Sequence, residues 1–170
     1  MKPPIPPNEQ ARLELLRQYQ ILDTAAEQVF DEITALAANI CETPICLLTF
    51  VDRDRTWYKS SVGMEVTETP REIAFCSHAI CQDELYVVPD TRADERFADN
   101  PLVTGDPSLR FYAGMPLLSP EGLAMGTLCV LDRKPLALTP EQADKLKALA
   151  KSAVLLLEIR RAGGMTRSQP

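Results

Sequence analysis

Cys76, His78 and Cys81 stand in the spacing Cys-x-His-x-x-Cys, with Cys41, Cys46 and Cys129 elsewhere in the chain. Thiolate and imidazole are good ligands for zinc or iron, so a metal or redox site is the first chemistry this cluster suggests. Helical geometry opposes a shared ion. Positions two apart on a regular helix point to nearly opposite sides, so Cys76 and His78 could meet one metal only if Cys76 preceded the helix. No metal site is expected. Cys41, Cys46 and Cys129 lie in apolar runs and read as small hydrophobes, unreactive in the native state. His78 is the only histidine. It reads first as a satisfied buried polar residue, and otherwise as a hydrogen-bond partner for a ligand or a pH-sensitive group. Beside a charged His78, Cys76 would have a lowered thiolate pKa and become a redox-sensing thiol. The plainer reading is an inert buried thiol following Phe75.

Asp90, Arg92 and Arg110 are candidate polar anchors for a ligand pocket, because Asp90 follows one short strand and Arg110 opens the next. The competing role is an Arg–Asp pair that fixes a loop. Trp57, Phe75, Phe111 and Tyr112 either line a cavity or fill a core. Along a strand, Phe111 and Ala113 face one side and Tyr112 and Gly114 the other. Gly114 and Gly126 leave the sheet short of side-chain bulk, which suits ligand space or close helix packing. Catalytic signatures are missing: there is no phosphate loop, Gly-x-Ser-x-Gly, His-Glu-x-x-His or Gly-x-Gly-x-x-Gly. The chain is not expected to be an enzyme, with thiol redox chemistry at Cys76 as the runner-up.

The elements that must position these residues follow from caps and periodicity. Residues 1–7 carry four prolines and read as an extended arm. Asn8 caps a helix to about Tyr19, and Thr24-Ala-Ala-Glu27 reads as a capping box opening a second helix that ends before Pro44. Ile45 to Val51 and Thr56 to Val62 read as a hairpin, and Gly63 to Pro70 as loop. A short helix falls within Ile73 to Gln82, a strand at Leu85 to Val88, and a helical turn at Glu95 to Asp99. Leu109 to Leu118 and Ala124 to Leu131 form a second hairpin. Thr139-Pro140-Glu141-Gln142 is the strongest local signal, a capped start for a helix burying Leu146, Leu149, Ala150, Ala153, Leu156 and Leu157. Hairpins demand antiparallel pairing, so the fold class is α+β: a central antiparallel sheet with helices from both chain ends packed together.

The chain has 170 residues, 45% of them hydrophobic and 25% charged, which suits one globular domain of 8–161 between the arm and a polar tail of 162–170. A net charge of −6 argues against nucleic acid or an anionic membrane as partner. The start shows no signal peptide, and an odd count of five cysteines reads as reduced thiols, so a cytoplasmic location is expected.

Several segments together resemble a GAF domain: Ile45–Asp52, the hairpin through Trp57, Phe75-Cys-Ser-His-Ala-Ile80, and Val88-Pro-Asp-Thr-Arg-Ala-Asp-Glu-Arg-Phe97. Arg110-Phe-Tyr-Ala-Gly-Met-Pro-Leu117 and Gly126-Thr-Leu-Cys-Val-Leu-Asp132 complete the match, from about Asn8 to Arg161. The branch resembled sits in bacterial signalling proteins ahead of histidine kinases or diguanylate cyclases. The resemblance implies a small-molecule pocket on one sheet face, roofed by the segment between Gly63 and Leu109, and a homodimer through the terminal helices. Departures are clear. The Asn-Lys…Phe…Asp-Glu pattern of cyclic-nucleotide binders is absent. Ser77 separates Cys76 from His78, whereas bilin-binding members place the two side by side. The cysteine pattern of the family's methionine-sulfoxide reductases is not matched. No cofactor is named by these residues.

The leading expectation is thus a sensory domain in two-component or related signalling, with an unidentified small-molecule ligand touching Trp57, Cys76, His78, Asp90, Arg110 and Phe111. Its output partner would be a histidine kinase or diguanylate cyclase. The alternatives are a thiol redox sensor or reductase at Cys76, and a ligand-free dimerisation module. Val154 and Leu155, off the core stripe of the last helix, and Leu13, Leu15 and Leu16 in the first suggest a second buried surface between two subunits.

Overall fold

A computed structural model of the chain describes residues 1–163; the rest of the expected polar tail lies outside the described residues. The helices are α1 (Glu9–Tyr19), α2 (Gln28–Cys41), α3 (Cys76–Ala79), α4 (Pro101–Thr104) and α5 (Pro140–Arg161). The strands are β1 (Ile45–Val51), β2 (Arg55–Val62), β3 (Glu68–Pro70), β4 (Tyr86–Val88), β5 (Phe111–Leu118) and β6 (Ala124–Asp132). They form one sheet in the order β3-β2-β1-β6-β5-β4, with every neighbouring pair antiparallel. The α+β architecture is the one the hairpins predict. β1 and β6 hold the centre and are buried along their whole length, which is why both read as continuous apolar runs. No helix among the described residues is long and apolar enough to cross a membrane.

Each face of the sheet has its own core. On one, Cys46, Leu48, Phe50, Phe111, Ala113 and Val130 pack against α1, α2 and α5. On the other, Ile45, Leu47, Tyr112, Cys129 and Leu131 meet a roof formed by the chain between β2 and β5, including Phe75, Cys76 and Phe97. The N-terminal arm crosses this roof. The Met1 ammonium donates to Arg96 O at 2.8 Å and the Cys81 thiol to Pro4 O at 3.5 Å, with Pro3 and Pro6 buried.

Cap chemistry explains some boundaries and corrects others. Thr139 Oγ1 accepts from Gln142 N at 3.1 Å while Gln142 Oε1 accepts from Thr139 N at 2.9 Å, so α5 opens on a full capping box. The box expected at Thr24 does not form. Thr24 Oγ1 donates back to Ile21 O, and the Glu27 carboxylate is taken by Lys59 and Arg160, so α2 starts only at Gln28. Asn8 precedes α1 without a side-chain cap bond. Gly63 to Pro70 contains the edge strand β3 as well as loop, and Glu95–Asp99 is a single turn, with Ala98 N donating to Asp94 O at 2.9 Å. The nearby helix is α4, capped by Asn100 Oδ1 accepting from Leu102 N at 2.8 Å, with Pro101 first in the helix.

The terminal helices divide the apolar surplus unequally. Leu13, Leu15 and Leu16 of α1 are all buried within this one chain, so they serve its own core. In α5, Leu155 is 64% exposed and Ile159 46% exposed.

Candidate functional site: a cavity between sheet and roof

A mainly apolar cavity of ≈ 20 Å³ lies between the sheet and the roof. Its wall includes Thr56 and Tyr58 of β2, Thr69 of β3, Cys76 of α3, Tyr112 of β5 and Cys129 of β6. The volume suits about one water molecule. Thr56 Oγ1, buried in this wall, has no hydrogen-bond partner among the described residues. Outside lies a surface groove of ≈ 400 Å³, and Met64, Thr69 and Leu102 border both spaces. Those three side chains therefore stand between the cavity and that groove.

Cys76 is the chemical centre of the wall. Its Sγ is 3.9 Å from Cys129 Sγ and accepts hydrogen bonds from Thr127 Oγ1 at 3.2 Å and the Tyr112 hydroxyl at 3.6 Å. Hydrogen bonding from Cys129, and from the Thr127, Thr49 and Tyr112 hydroxyls, favours the Cys76 thiolate and outweighs burial. Burial and the neighbouring Cys76 push the Cys129 thiol the other way. Tyr112 reaches this position because Gly114 has no side chain: a Cβ there would lie 2.1 Å from the Tyr112 hydroxyl. The space at Gly126 is taken by the β1 backbone, where a Cβ would meet Thr49 O at 1.8 Å. Neither glycine opens ligand space or admits a helix.

Of the six residues expected at a ligand, Cys76 lines the cavity and the other five lie elsewhere. Phe111 and Trp57 belong to the core on the helical face. Alternation predicts that Phe111 and Tyr112 oppose one another, and they do; Tyr112 is the one on the roofed side. His78 is buried under the arm, edge-on to Phe97 at 4.7 Å between ring centres. Burial drives its pKa down to about 4, against a backbone hydrogen bond with Met1 that acts to raise it. It is neutral near pH 7, so it supplies no charge to lower the Cys76 thiol. Asp90 accepts from Arg92 N at 3.1 Å and caps the 3₁₀ turn Thr91–Ala93. Arg110 Nη1 donates to Val103 O at 2.9 Å and Leu109 O at 3.1 Å, so it fixes a loop through carbonyls rather than through Asp90.

Cys76 and His78 diverge as helical spacing requires, and Cys81 lies beyond the end of α3. Cys76 points to the sheet, His78 to Phe97, and Cys81 is exposed near Pro4. The sequence reading misses Thr56, Tyr58 and Cys129 in the wall. Their signal was parity: Thr56 and Tyr58 flank Trp57, and Cys129 alternates with Leu128 and Val130, so each faces away from the helical core.

The family model described as GAF domain matches residues 25–157. A cyclic di-GMP phosphodiesterase of Pseudomonas aeruginosa is 44% identical over 133 residues, covering 78% of this chain. The matched segment spans only 23% of that relative's length. Among solved structures, the GAF domain of an Acinetobacter phosphoenolpyruvate-protein phosphotransferase superposes with a TM-score of 0.68 at 17% identity, over 94% of this chain and 98% of its own. A free methionine-R-sulfoxide reductase from Neisseria meningitidis, in complex with its substrate, gives 0.65 at 19% identity, over 91% of this chain and 90% of its own. Likeness at such identities speaks for the fold.

Proposed function

The chain belongs to the GAF domain family, and from that premise we propose that it is a small-molecule-sensing domain of bacterial signal transduction that relays occupancy to its terminal helices. The observation that carries the proposal is the Thr56 hydroxyl, buried in the cavity wall without a partner among the described residues. A buried polar group left unpaired costs about 1–3 kcal/mol, which a bound water or polar ligand atom would recover. A ligand larger than water must push Met64 and Leu102 aside and join the cavity to the groove outside. Of the six residues the sequence points to, Cys76 belongs to the proposed site, joined by Thr56, Tyr58 and Tyr112.

Two connections support a relay. Ser77 Oγ donates to Arg71 O at 2.6 Å, and the Arg71 guanidinium is ion-paired to Glu9, so α3 is tied to α1. On β5, Tyr112 faces the cavity while its neighbours Phe111 and Ala113 enter the core shared with Leu146 and Ala150 of α5. We read the exposed Leu155 and Ile159 of α5 as the contact between two copies of the chain. The Pseudomonas relative bears the name of a cyclic di-GMP phosphodiesterase, so an enzyme of cyclic di-GMP turnover, in the same or a separate chain, is the output partner we favour over a histidine kinase. The domain itself would be non-catalytic in that arrangement.

Native mass spectrometry of the freshly purified chain, followed by denaturation, tests the ligand. A retained mass that denaturation releases and Thr56→Val diminishes supports it. A bare chain mass, with Thr56→Val more stable than wild type, overturns it.

A further inference from the structure

We infer that Cys76 and Cys129 form a two-electron thiol switch, in which hydrogen peroxide admitted to the cavity oxidises the pair to a disulfide that staples the roof to the sheet. The two sulfurs come from positions 53 residues apart, one on α3 and one in the middle of β6, and sit 3.9 Å from each other. A disulfide needs a separation of about 2.0 Å. The cavity they both line gives the Cys76 side chain room to close that gap. At ≈ 20 Å³ the resting cavity admits a molecule near the size of water or peroxide, and the unpartnered Thr56 hydroxyl offers it a hydrogen bond. An amino-acid-sized substrate does not fit that volume.

The two sulfurs have different roles. Cys76 accepts from Thr127 and Tyr112, which favours its thiolate, the nucleophilic form. Its sulfur attacks one peroxide oxygen and the O–O bond breaks. The departing hydroxide takes up the proton that the Cys76 thiol had released, giving water and a Cys76 sulfenic acid. The Cys129 sulfur then attacks the sulfenic sulfur. The S–S bond forms, the S–O bond breaks, and the leaving hydroxide carries off the Cys129 proton as a second water. Two thiols thus lose two electrons in total to one peroxide. The resulting bond would hold α3 against β6 and stop Met64 and Leu102 from parting widely, whether or not a ligand is ever bound. The switch therefore stands or falls separately from the ligand proposal.

The test treats the fully reduced chain with hydrogen peroxide, blocks free thiols, and maps peptides without reductant. The expected product has lost two hydrogens, contains a Cys76–Cys129 cross-linked peptide, and returns to starting mass with dithiothreitol. In Cys129→Ala, dimedone should trap a sulfenic acid at Cys76. Cys81→Ser should leave the cross-link intact, and Leu102→Ala, which thins the partition, should speed its formation severalfold. The inference is overturned if Cys76 and Cys129 remain free thiols after Cys81 has oxidised, or if Cys76 bonds to a different cysteine. The wild-type map decides this even where a variant fails to fold.

Discussion

Arg71 holds Glu9 with both ends of its guanidinium: Nη1 donates to Oε2 at 2.5 Å and Nη2 to Oε1 at 2.9 Å. Arg12, wholly buried, donates to the same carboxylate and to Val51 O. Two buried cations thus depend on one anion, and together they fasten the root of the roof to α1. Glu9→Gln should cost about 2–3 kcal/mol, because it leaves both guanidiniums without their counter-charge. Urea denaturation would show this as a lower midpoint, and an unchanged midpoint would contradict it.

Acid should weaken the fold in two stages. Burial drives His78 down to about 4 from an ordinary value of 6.5. Burial acts to raise Glu9 and Glu27, but the bonds and charges of Arg71 and Arg12, and of Lys59 and Arg160, outweigh it and hold both carboxyls low. All three folded values lie below the unfolded ones, so the unfolded chain takes up protons first as pH falls. The His78 contribution is complete above about pH 6.5 and is lost toward pH 4, on the order of 3 kcal/mol. The carboxylate contributions fade at lower pH. Thermal melts across pH should show this decline, and His78→Gln should flatten its upper stage only.

Gly126 sits where β1 passes close to β6, and an added Cβ would meet the Thr49 carbonyl oxygen at 1.8 Å. Backbone in the centre of the sheet has nowhere to go. Gly126→Ala should cost more than about 3 kcal/mol or prevent folding. Recovery of a soluble variant with wild-type melting would refute that.

Thiol labelling should follow exposure. Cys81 is exposed and should alkylate first under mild conditions, while Cys41 and Cys46, buried and with thiols pushed up by burial, should react last. Cys76 should fall between them, because its thiolate is favoured but its access is through the partition at Met64 and Leu102. Peptide mapping over time gives the order directly. Modification of Cys46 ahead of Cys81 would show that the helical core opens more readily than its packing suggests.

Charges placed on the outer side of α5 should separate two copies while leaving the monomer folded. Leu155 and Ile159 are the exposed apolar residues of that helix, and Val154 is half-buried. Leu155→Glu with Ile159→Lys should turn a dimer into a monomer by light scattering, with an unchanged circular dichroism spectrum. A wild-type monomer at high concentration would end the dimer proposal.

The helices and hairpins were legible because their signals are local. The Thr139 capping box and the apolar runs of β1 and β6 each act within a few residues. Thr24 shows how the same chemistry misleads: its cap pattern was present, but Lys59 of β2 and Arg160 of α5 compete for Glu27 from distant elements and win. The expected site suffered in the same way. Asp90 and Arg110 were polar residues in an apolar setting, yet each had backbone groups of its own loop to satisfy.

Alternation along β5 puts Phe111 and Tyr112 on opposite faces from sequence alone, because the strand period is two residues wherever the strand lies. Which face receives the roof depends on which side α1, α2 and α5 occupy, and nothing within β5 encodes that. The same division applies to the thiols. Helical spacing was enough to separate Cys76 from His78, whereas the meeting of Cys76 and Cys129 at 3.9 Å follows only from the roof folding back over β6. Period and capping arise from neighbours in the chain; faces and partners arise from the packing of distant segments, and that packing is what made this site.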